Sequence, residues 1–422
     1  MQHLSRFCGA PLEHVVVDLG ASPLCESYLD SSQLDGMEPF YPLRVEVCDV
    51  CFLVQLPAYV APESIFTEYA YFSSFSDSWL EHARRYAETM IRTQRLGPES
   101  LVVEIGSNDG YLLRNFVAAG IPALGIEPAQ NVARTAQEAG VPTIARFFGL
   151  ELARELRRDG KSADLIAANN TLAQIPDLND AMAGLAELLA PDGLLTIEVP
   201  HLLELLAQNQ FDTIYHEHFS YFSAATLQRV FAAHGLDLVD VDTLPTHGGS
   251  LRVHGRHAGT AAIHPRVEAM LARERAAGLE DVSTYPAFGR RVEQLKRDIL
   301  SFLIDVKRGG RSIAGYGAPG KANTLLNYCG IGPDLLPYTV DRNPYKHGRF
   351  MPGSRIPIDH PDRLMADRPE IVWILPWNLR DEISGQLASF AEWGSQLFVA
   401  IPQPEVFAPG TTVAGVPVAR PA

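Results

Sequence analysis

The chain has 422 residues, 46% of them hydrophobic, and 50 acidic against 35 basic side chains give a formal net charge of −15. About two or three domains fit this length, and the acidic balance argues against general attraction to nucleic acid or to an anionic membrane surface. Residues 1–8 lack the apolar core of a signal peptide, and no run reaches the roughly 18 apolar residues of a membrane span, so we expect a cytoplasmic protein. Five cysteines, an odd number, argue against a disulfide framework.

The first part of the chain, residues 1–75, contains proline, cysteine and aromatic residues with short β-like runs such as 43–47. This composition predicts a small, irregular N-terminal domain. From 78 to 93, apolar residues recur at helical spacing, which predicts an amphipathic helix that leads into the next domain. The apolar positions are Trp79, Ala83, Tyr86 and Met90.

A regular alternation of strand and helix patterns follows, within a predicted domain over 76–260. This alternation predicts an α/β fold with a parallel, doubly wound sheet. The predicted elements are strands at 101–105, 123–127, 164–168 and 194–199, and helices after Gly110, at 129–139 and at 178–190, with a turn at Pro191-Asp-Gly193 before the last strand.

The stretch 101–113 places Glu104 at the end of an apolar strand and before a turn that carries Gly106, Asn108 and Gly110. Glycines let the backbone approach a ligand closely, and a strand-end carboxylate can take an ammonium group directly or through water. The spacing Glu-x-Gly-x-Asn-x-Gly resembles the first motif of class I S-adenosylmethionine methyltransferases. The alternative is a tight βα turn in some other α/β fold.

Two further strand ends are assigned to the same cofactor site. Glu127 follows the next strand, where an acid can accept hydrogen bonds from ribose hydroxyls. Asn169 ends the run 164–170, which has the pattern of the fourth strand of such a sheet.

A charged helical section over about 264–308 precedes a second α/β unit, within a predicted domain over 261–422. Its strand-like runs begin at Arg311, Leu336, Glu370 and Gln396. The segment 315–320 fits Gly-x-Gly-x-x-Gly, and Asp341 ends the next strand, which is the spacing of an NAD-binding turn.

Lys321 follows the third glycine of that segment and weakens the NAD interpretation. A cation at a helix start, beside free backbone N–H groups, fits a diphosphate equally well, and a nucleotide without nicotinamide fits too. Arg342, Lys346 and Arg349 in one loop are a candidate local anion site on this acidic protein. The alternative is a solvated basic loop.

The chemical centre is predicted at 211–222, where two histidines, a carboxylate and several aromatic residues follow the fourth strand. Methylation of carbon needs a base that removes a proton and a donor that stabilises the resulting oxyanion. His218 can be the base, Tyr215 can hydrogen-bond the enolate oxygen, and Glu217 can orient a histidine or a sugar hydroxyl. The alternatives are a His-x-His metal pair and packed structural histidines.

Farther along, the run 246–252 presents small residues and an arginine after a strand. Gly248 and Gly249 permit close approach to a ligand, while Ser250 and Arg252 offer hydrogen-bond donors. A tight hairpin is the alternative.

Together these pieces resemble the bacterial nucleotide-sugar C-methyltransferases, which place a methyl group on a ring carbon beside a keto group in deoxysugars of natural-product pathways. The resemblance covers nearly the full length. It rests on Tyr-Ala-Tyr-Phe-Ser-Ser at 69–74, Glu-Ile-Gly-Ser-Asn-Asp-Gly at 104–110, Ile-Glu-Pro-Ala at 126–129, Tyr-His-Glu-His at 215–218, Gly-Gly-Ser-Leu-Arg at 248–252, Gly-Tyr-Gly-Ala-Pro-Gly-Lys at 315–321 and Leu-Pro-Trp-Asn at 375–378.

The resemblance implies an N-terminal zinc-binding domain, a central S-adenosylmethionine domain and a C-terminal Rossmann-like domain that helps to bind a thymidine-diphospho-sugar, without nicotinamide. It implies His218 as general base, Tyr215 and Glu217 at the sugar, and Tyr69 as a further substrate residue. Lys321 and Asn323 are assigned to the sugar nucleotide. We expect no nucleic-acid or membrane partner, and a monomer is compatible with these features.

The zinc site departs from the family pattern of two Cys-x-x-Cys pairs. The second pair is present as Cys48 and Cys51, but the first has Ser5 before Cys8. Three thiolates remain, and structural zinc normally takes four ligands, so His3, Cys25, Ser5 or a water must complete the set, or the site is weakened or empty. The alternative is three buried, reduced thiols.

A second departure is Gln174, where many relatives carry histidine. Glutamine can hydrogen-bond a sugar oxygen but cannot titrate, so an acid/base role at this position is lost.

Taken together, the motifs give C-methylation of a nucleotide-activated 4-ketodeoxysugar as the leading function. The alternatives are an NAD-dependent sugar oxidoreductase that uses the segment 315–320 and an inactive nucleotide-sugar binding protein.

Overall fold

A computed structural model describes residues 3–66, 69 and 72–412 of the chain. By the density of contacts between residues the chain divides into two compact units. Unit 1 comprises Met1–Val17, Arg44–Leu205 and His216–Pro286, and unit 2 comprises Asp18–Leu43, Leu206–Tyr215 and Ala287–Ala422. The domain boundaries predicted at 75/76 and 260/261 stay predictions.

The secondary structure follows the predicted alternation along most of the described chain. The strands are β1 His14–Ser22, β2 Tyr41–Val47, β3 Val54–Gln55, β4 Val102–Ile105, β5 Ala123–Ile126, β6 Thr143–Ile144, β7 Ala163–Asn169, β8 Leu189–Pro200, β9 Ser220–Tyr221, β10 Leu236–Leu244, β11 Ser250–His257, β12 Ile313–Tyr316, β13 Thr339–Val340, β14 Arg349–Phe350, β15 Pro357–Asp359, β16 Ile371–Ile374, β17 Gln396–Val399 and β18 Glu405–Phe407. The α-helices are α1 Pro62–Phe66, α2 Asp77–Gln94, α3 Leu113–Ala118, α4 Gln130–Glu138, α5 Leu150–Arg158, α6 Leu178–Leu188, α7 Leu202–Ala207, α8 Ala224–Ala233, α9 Pro265–Ala276, α10 Pro286–Arg308, α11 Gly320–Cys329, α12 Asp362–Asp367 and α13 Arg380–Gln386.

The large sheet of unit 1 has the strand order β10-β11-β8-β7-β4-β5-β6. Strands β8, β7, β4, β5 and β6 pair in parallel, and helices form the crossovers that parallel strands require. The parallel, doubly wound sheet predicted from the sequence is thereby confirmed. Strand β11 pairs antiparallel with both β8 and β10, so the hairpin considered as the alternative for 246–252 is present.

Strand β8 begins earlier than predicted. Ala163 pairs with Leu189, but Leu165 pairs with Leu194, so residues 190–193 bulge out of the ladder. The predicted turn at 191–193 lies in this bulge rather than before the strand. For the same reason α6 ends at Leu188, two residues before the predicted boundary.

Helix α2 illustrates how the sequence pattern determines the packing. Its N-cap Ser76 accepts a hydrogen bond from the backbone of Trp79, and Arg95 ends the helix in the left-handed conformation. Trp79, Ala83, Tyr86 and Met90 are buried, as predicted, in a cluster with residues of α3 and β4. Burial of each large apolar side chain contributes roughly 2–3 kcal/mol to stability, so this face anchors α2 to the sheet.

The strand order determines where a ligand can bind in unit 1. Strand β4 is the first of the parallel strands in the chain, and its later neighbours β5 and β7 lie on opposite sides of it. Ligands of doubly wound sheets bind beyond the carboxyl ends of the strands at such a switch point. The end of β4 at Ile105 is therefore the expected binding edge.

Unit 2 repeats this arrangement, with the strand order β14-β15-β13-β12-β16-β17-β18. Strands β15, β13, β12, β16 and β17 are parallel, and β12 lies at the switch point between β13 and β16. This confirms the predicted second α/β unit.

No helix in the described ranges is both long and apolar enough to cross a membrane.

A buried hydrogen bond between His201 and Glu274 links α9 to the rest of unit 1. The Nε2 atom of His201 lies 2.7 Å from Oε1 of Glu274, and both side chains are buried. The same carboxylate accepts hydrogen bonds from the backbone N–H groups of Ala224 and Ala225 at 2.7 and 2.9 Å, at the start of α8. Glu274 thus stabilises a helix N-terminus and a buried histidine together.

We predict that Glu274→Ala lowers the free energy of unfolding by about 3 kcal/mol or more, because it leaves two helix N–H groups and a buried imidazole without their acceptor. Urea denaturation followed by circular dichroism measures this change. Glu268→Ala on the same helix is the control, since Glu268 pairs with Arg275 at the surface and its loss should change stability little. Equal effects of the two substitutions would contradict the role given to Glu274.

Candidate functional site

The turn after β4 has the backbone that a close-approaching ligand requires. Gly106 and Gly110 have φ values of +67° and +78°, and Asn108 adopts a left-handed conformation with φ +48°. A Cβ atom at Gly106 would overlap the side chain of Thr171. Glycine is therefore needed at this position for space as well as for backbone conformation.

Glu127 holds this turn in place. Its Oε2 accepts a hydrogen bond from the backbone of Asn108 at 3.0 Å, and its Oε1 accepts one from Ala129 at 2.9 Å. Burial raises the pKa of Glu127, and the two backbone donors oppose that rise. The carboxylate predicted to bind ribose is thus fixed beside the glycine turn, one strand away from Glu104.

Glu104 is the most unusual residue of the site. Its side chain is fully buried, and neither carboxylate oxygen has a hydrogen-bond partner of normal geometry among the described residues. Burial raises its pKa well above the ordinary value; the nearby Tyr111 hydroxyl opposes this, and the acids Asp109 and Glu127 add to it. A buried, unpaired acid costs several kcal/mol when ionised, so this position is suited to a cationic ligand.

Asn169 lies at the same edge of the sheet. Ala167 of β7 pairs with Glu104 of β4, and Asn169 follows two residues later at the end of β7. The Oδ1 atom of Asn169 is buried and has no hydrogen-bond partner within the described ranges. The structure therefore places Glu104, Glu127 and Asn169 at the same edge of the sheet around the glycine turn, and their role in binding a cofactor stays a prediction.

The segment that begins at Tyr69 is bonded to this turn. The backbone N–H of Ser73 donates to Oδ1 of Asn108 at 2.9 Å, and that of Ser74 donates to Oδ2 of Asp109 at 3.0 Å. The backbone of Tyr69 exchanges two hydrogen bonds with the amide of Asn131 in α4. Ala70 and Tyr71 of the predicted motif lie outside the described residues.

Tyr69 also reaches the predicted catalytic loop. Its hydroxyl donates to Oε2 of Glu217 at 2.6 Å, and Glu217 is buried. His218 is partly exposed, with its ring edge-on to Tyr221 at 6.4 Å between centroids. The backbone beside His218 is fixed, because Phe219 donates to the carbonyl of Ala173 at 2.8 Å.

Gln174 follows Ala173 and is partly buried. The hydrogen bond between Phe219 and Ala173 therefore brings the backbone at Gln174 next to the backbone at His218. Both belong to unit 1, as does Glu217, whereas Tyr215 belongs to unit 2. The role predicted for Tyr215 stays a prediction.

Arg252 makes an internal ion pair. It donates to the buried carboxylate of Glu198 at 2.7 Å, and Glu198 also accepts from His82 at 2.9 Å and from Thr246 at 2.8 Å. Burial raises the pKa of Glu198, but the hydrogen bond from His82 and the Arg252 guanidinium outweigh burial and bring it to about 2. The guanidinium lies 4.6 Å from the centre of the Tyr86 ring.

Sequence reasoning missed Glu198 and His82. The available signal was a single acid inside the apolar run 194–199, which is uncommon in a buried strand. His82 stacks on Trp79, with ring centroids 4.9 Å apart, and Trp79 stacks on Tyr111 beside Glu104. A layer of aromatic rings therefore connects the Glu198 ion pair to the unpaired carboxylate.

Gly248, Gly249 and Ser250 form the turn of the β10–β11 hairpin. Gly249 has φ +119°, and a Cβ there would lie 2.7 Å from Cγ of Glu204. The hydroxyl of Ser250 donates to the carbonyl of Thr246 at 3.0 Å. These contacts explain why small residues occur in the turn, and the role of the turn in binding a ligand stays a prediction.

Cys8, Cys48 and Cys51 come together in unit 1, with their sulfur atoms all within 4.8 Å of one another. The Sγ atoms of Cys8 and Cys48 are 3.5 Å apart. Sulfurs bound to one tetrahedral zinc at about 2.3 Å would lie about 3.8 Å from each other. The three thiols therefore fit a zinc ion, which would tie the segment at Cys8 to the one at Cys48.

Lys321 lies at the start of α11, at the switch point of unit 2. Its ammonium donates to Oδ1 of Asn378 at 2.9 Å and lies 4.9 Å from the centre of the Trp377 ring. Burial lowers the pKa of Lys321, and the charge of Asp212 opposes this. Trp377 donates to Asp212 at 2.7 Å, and burial raises the pKa of that acid to about 6.

Two other residues assigned to the sugar nucleotide are buried in unit 2. Asn323 donates to the carbonyl of Pro23 at 3.2 Å, and Lys346 donates to the carbonyl of Ala318 at 2.9 Å. These hydrogen bonds explain why both polar side chains are buried, and their role in binding a ligand stays a prediction. Arg342, which follows β13, and Arg349, at the start of β14, are both exposed, as an anion site would require.

The glycine segment 315–320 is unsuited to a dinucleotide. A Cβ at Gly320 would lie 3.1 Å from the sulfur of Cys25 and 3.3 Å from Oε1 of Glu26, so these residues pack where a diphosphate would meet the helix start. Asp341, which would bind the ribose, instead accepts from the backbone of Ala318 at 2.7 Å. The geometry of this segment therefore argues against NAD binding.

Three family models match the chain: a zinc binding domain over residues 6–66, a methyltransferase domain over 79–241 and a C-methyltransferase C-terminal domain over 245–402. The C-methyltransferase NovU of Streptomyces niveus is 38% identical over 409 residues, which cover 97% of each chain.

Solved structures that are similar to part of the chain include two that each cover less than half of it. The magnesium protoporphyrin IX methyltransferase of Synechocystis is 16% identical with a TM-score of 0.34, over 42% of this chain and 83% of that one. The YcgJ protein of Bacillus subtilis is 15% identical with a TM-score of 0.34, over 42% of this chain and all of that one.

We predict that Glu104→Gln raises the melting temperature of the ligand-free protein. Burial raises the pKa of Glu104 in the folded state above its value in the unfolded state. Between these two pKa values unfolding releases a proton, so the stability of the wild-type protein falls as the pH rises. The difference should grow as the pH rises from the unfolded-state pKa of the acid and should level off once the raised folded-state pKa is passed.

Thermal unfolding at a series of pH values measures this difference. Glu99→Gln is the control, since Glu99 is exposed and the substitution should leave the melting temperature unchanged at every pH. A Glu104→Gln protein that is less stable than the wild type across this range would contradict the unpaired state of the carboxylate.

Proposed function

Because this chain belongs to the C-methyltransferase family, we propose that it transfers a methyl group to a ring carbon beside the keto group of a nucleotide-activated deoxysugar. The proposed substrate class is a thymidine-diphospho-4-ketodeoxysugar, and the proposed setting is deoxysugar and antibiotic biosynthesis in the cytoplasm. The chain's similarity to NovU supports the reaction type, and the motifs of the sequence support the sugar-nucleotide class.

One observation carries the proposal. Hydrogen bonds of Tyr69, Ser73 and Ser74 reach both the glycine turn after β4 and the predicted base loop within unit 1. Ser73 and Ser74 bond to Asn108 and Asp109 of the turn, while the Tyr69 hydroxyl bonds to Glu217 of the loop. A methyl acceptor bound beside these residues would therefore meet both the methyl donor and the base.

The donor set after β4 and β5 fits S-adenosylmethionine. Its sulfonium would supply the methyl group. Glu104 would take the ammonium of the methionine part, and Glu127 and Asn169 would bind the ribose and neighbouring polar atoms. The buried, unpartnered oxygens of Glu104 and Asn169 support this assignment.

His218 would remove the proton from the carbon next to the ketone. That hydrogen is acidic because the electron pair left on carbon is delocalised into the carbonyl as an enolate. Tyr215 would donate a hydrogen bond to the enolate oxygen. S-adenosylmethionine, when bound, would supply the methyl group to the enolate carbon and leave as S-adenosylhomocysteine, and His218 would hold the proton removed from that carbon.

Glu217 has a positioning role in this scheme. Its carboxylate is held by the Tyr69 hydroxyl at 2.6 Å, so it can orient a sugar hydroxyl next to His218. Gln174 offers an amide where many relatives have a titratable imidazole, so it would hydrogen-bond the sugar without taking part in proton transfer. In unit 2, the exposed side chains of Arg342 and Arg349 would bind the diphosphate.

We predict that His218→Gln abolishes exchange of the acidic carbon-bound hydrogen with solvent deuterium, because glutamine cannot accept the proton. The loss should be at least about 10²-fold, with S-adenosylmethionine affinity nearly unchanged. Incubation with a panel of thymidine-diphospho-4-ketosugars in D₂O, followed by NMR and by assay of S-adenosylhomocysteine release, measures both steps.

His234→Gln is the matched control. The ring of His234 bonds the carbonyl of Val230 in its own helix, so this variant should exchange and methylate like the wild type. Exchange that persists in His218→Gln would remove His218 from the role of base. Sugar-nucleotide binding without exchange or methylation by the wild type would indicate a binding protein instead of an enzyme.

A further inference from the structure

The zinc cluster of unit 1 has three sulfur ligands and a serine in the fourth place of the pattern. Ser5 precedes Cys8 by three residues, as Cys48 precedes Cys51. We propose that the hydroxyl oxygen of Ser5 is the fourth donor, so that the protein holds zinc in a site of three thiolates and one serine oxygen.

The position of the oxygen supports this assignment. Ser5 is buried, and its Oγ lies 3.3 Å from Sγ of Cys51. In a tetrahedral site with the oxygen at about 2.0 Å and the sulfur at about 2.3 Å from zinc, this separation would be about 3.5 Å. The serine oxygen therefore already lies at the distance from the Cys51 sulfur that a shared zinc ion requires.

Backbone N–H groups point at the side-chain atoms of both Ser5 and Cys48. The N–H of Cys8 points at the Ser5 oxygen at 3.5 Å, and the N–H of Val50 points at the Cys48 sulfur at 3.4 Å. Gln55 adds a side-chain donor to the Ser5 oxygen at 3.3 Å, which favours negative charge on that oxygen.

The other candidate side chains are engaged elsewhere. Nδ1 of His3 is 2.9 Å from the carboxylate of Glu46, and its ring lies edge-on to Tyr59. Cys25 belongs to unit 2, where its sulfur packs against Gly320. Of the protein donors considered from the sequence, Ser5 alone contacts the three-thiol cluster directly.

An oxygen donor changes what the site can do. Zinc prefers soft thiolate ligands, and replacement of one thiolate by a serine oxygen weakens the interaction with the metal. We therefore expect a metal that exchanges more readily than one bound by four cysteines. The site would still connect the segments at Cys8 and Cys48, which stabilises this part of unit 1.

The test is metal binding by the full chain, the wild type compared with Ser5→Cys and Ser5→Ala. Zinc content after gel filtration and competition with a chromophoric chelator measure stoichiometry and affinity. We expect one zinc per wild-type chain, roughly tenfold or more tighter binding for Ser5→Cys, and roughly tenfold or more weaker binding for Ser5→Ala. Cys329→Ser is the control, because Cys329 is buried in unit 2 and should not affect zinc.

Cobalt substitution gives a second readout that does not depend on the alanine variant folding. The wild-type cobalt spectrum should show tetrahedral d–d bands and the thiolate charge-transfer intensity of three sulfurs, and Ser5→Cys should shift the bands towards those of a four-thiolate site. Ser5→Ala with wild-type affinity and spectrum would overturn the proposal, because water or another group would then be the fourth ligand. A wild-type chain that binds no zinc, or a Ser5→Cys chain that binds no more tightly, would overturn it too.

Discussion

The unpaired carboxylate of Glu104 is the constraint on which the functional edge of unit 1 depends. The residue ends β4 at the switch point of the sheet, fully buried and without a hydrogen-bond partner of normal geometry in the described part of the chain. Glu198 shows what the fold does with a buried acid that has only a structural role. It is buried just as deeply, but His82, Arg252 and Thr246 hold it ionised, with a pKa of about 2.

The contrast between these two glutamates indicates that they have different roles at this edge of the sheet. Burial without partners raises the pKa of Glu104, and burial with partners leaves Glu198 a stable anion. An unpaired buried acid reduces the stability of the ligand-free protein, and a cationic ligand would remove that cost. We infer that Glu104 is suited to bind a cationic ligand, whereas the Glu198 ion pair fixes the ring layer that extends to Tyr111.

Tyr69, Ser73 and Ser74 provide a second constraint in unit 1. Ser73 and Ser74 are bonded to the glycine turn, and Tyr69 is bonded to Glu217. The turn proposed to bind the cofactor and the residue beside the proposed base are thereby both held by these residues. Precise positioning of donor and acceptor is what a methyl transfer between two bound molecules requires.

Much of this arrangement is predictable from the sequence, because it follows from local rules. Hydrophobic periodicity predicts α2 and the strands β4, β5 and β7, and the glycine turn identifies the binding edge. The ion pair of Arg252 is not predictable, since it depends on the antiparallel register that places Arg252 opposite Glu198. Likewise, no local pattern shows that Asp18–Leu43 packs within unit 2, where Glu26 lies against Gly320 and closes the dinucleotide turn.

The most direct test of this account is isothermal titration calorimetry of S-adenosylmethionine binding in buffers of different ionisation enthalpy. Burial raises the pKa of Glu104 in the ligand-free protein, and a bound ammonium favours the carboxylate anion. At pH values below the raised pKa, binding should therefore release a proton, and affinity should rise with pH until the raised pKa is passed. Glu104→Gln should lose both the proton release and most of the affinity. Binding by the wild type without proton release, together with equal affinity in Glu104→Gln, would contradict the central claim.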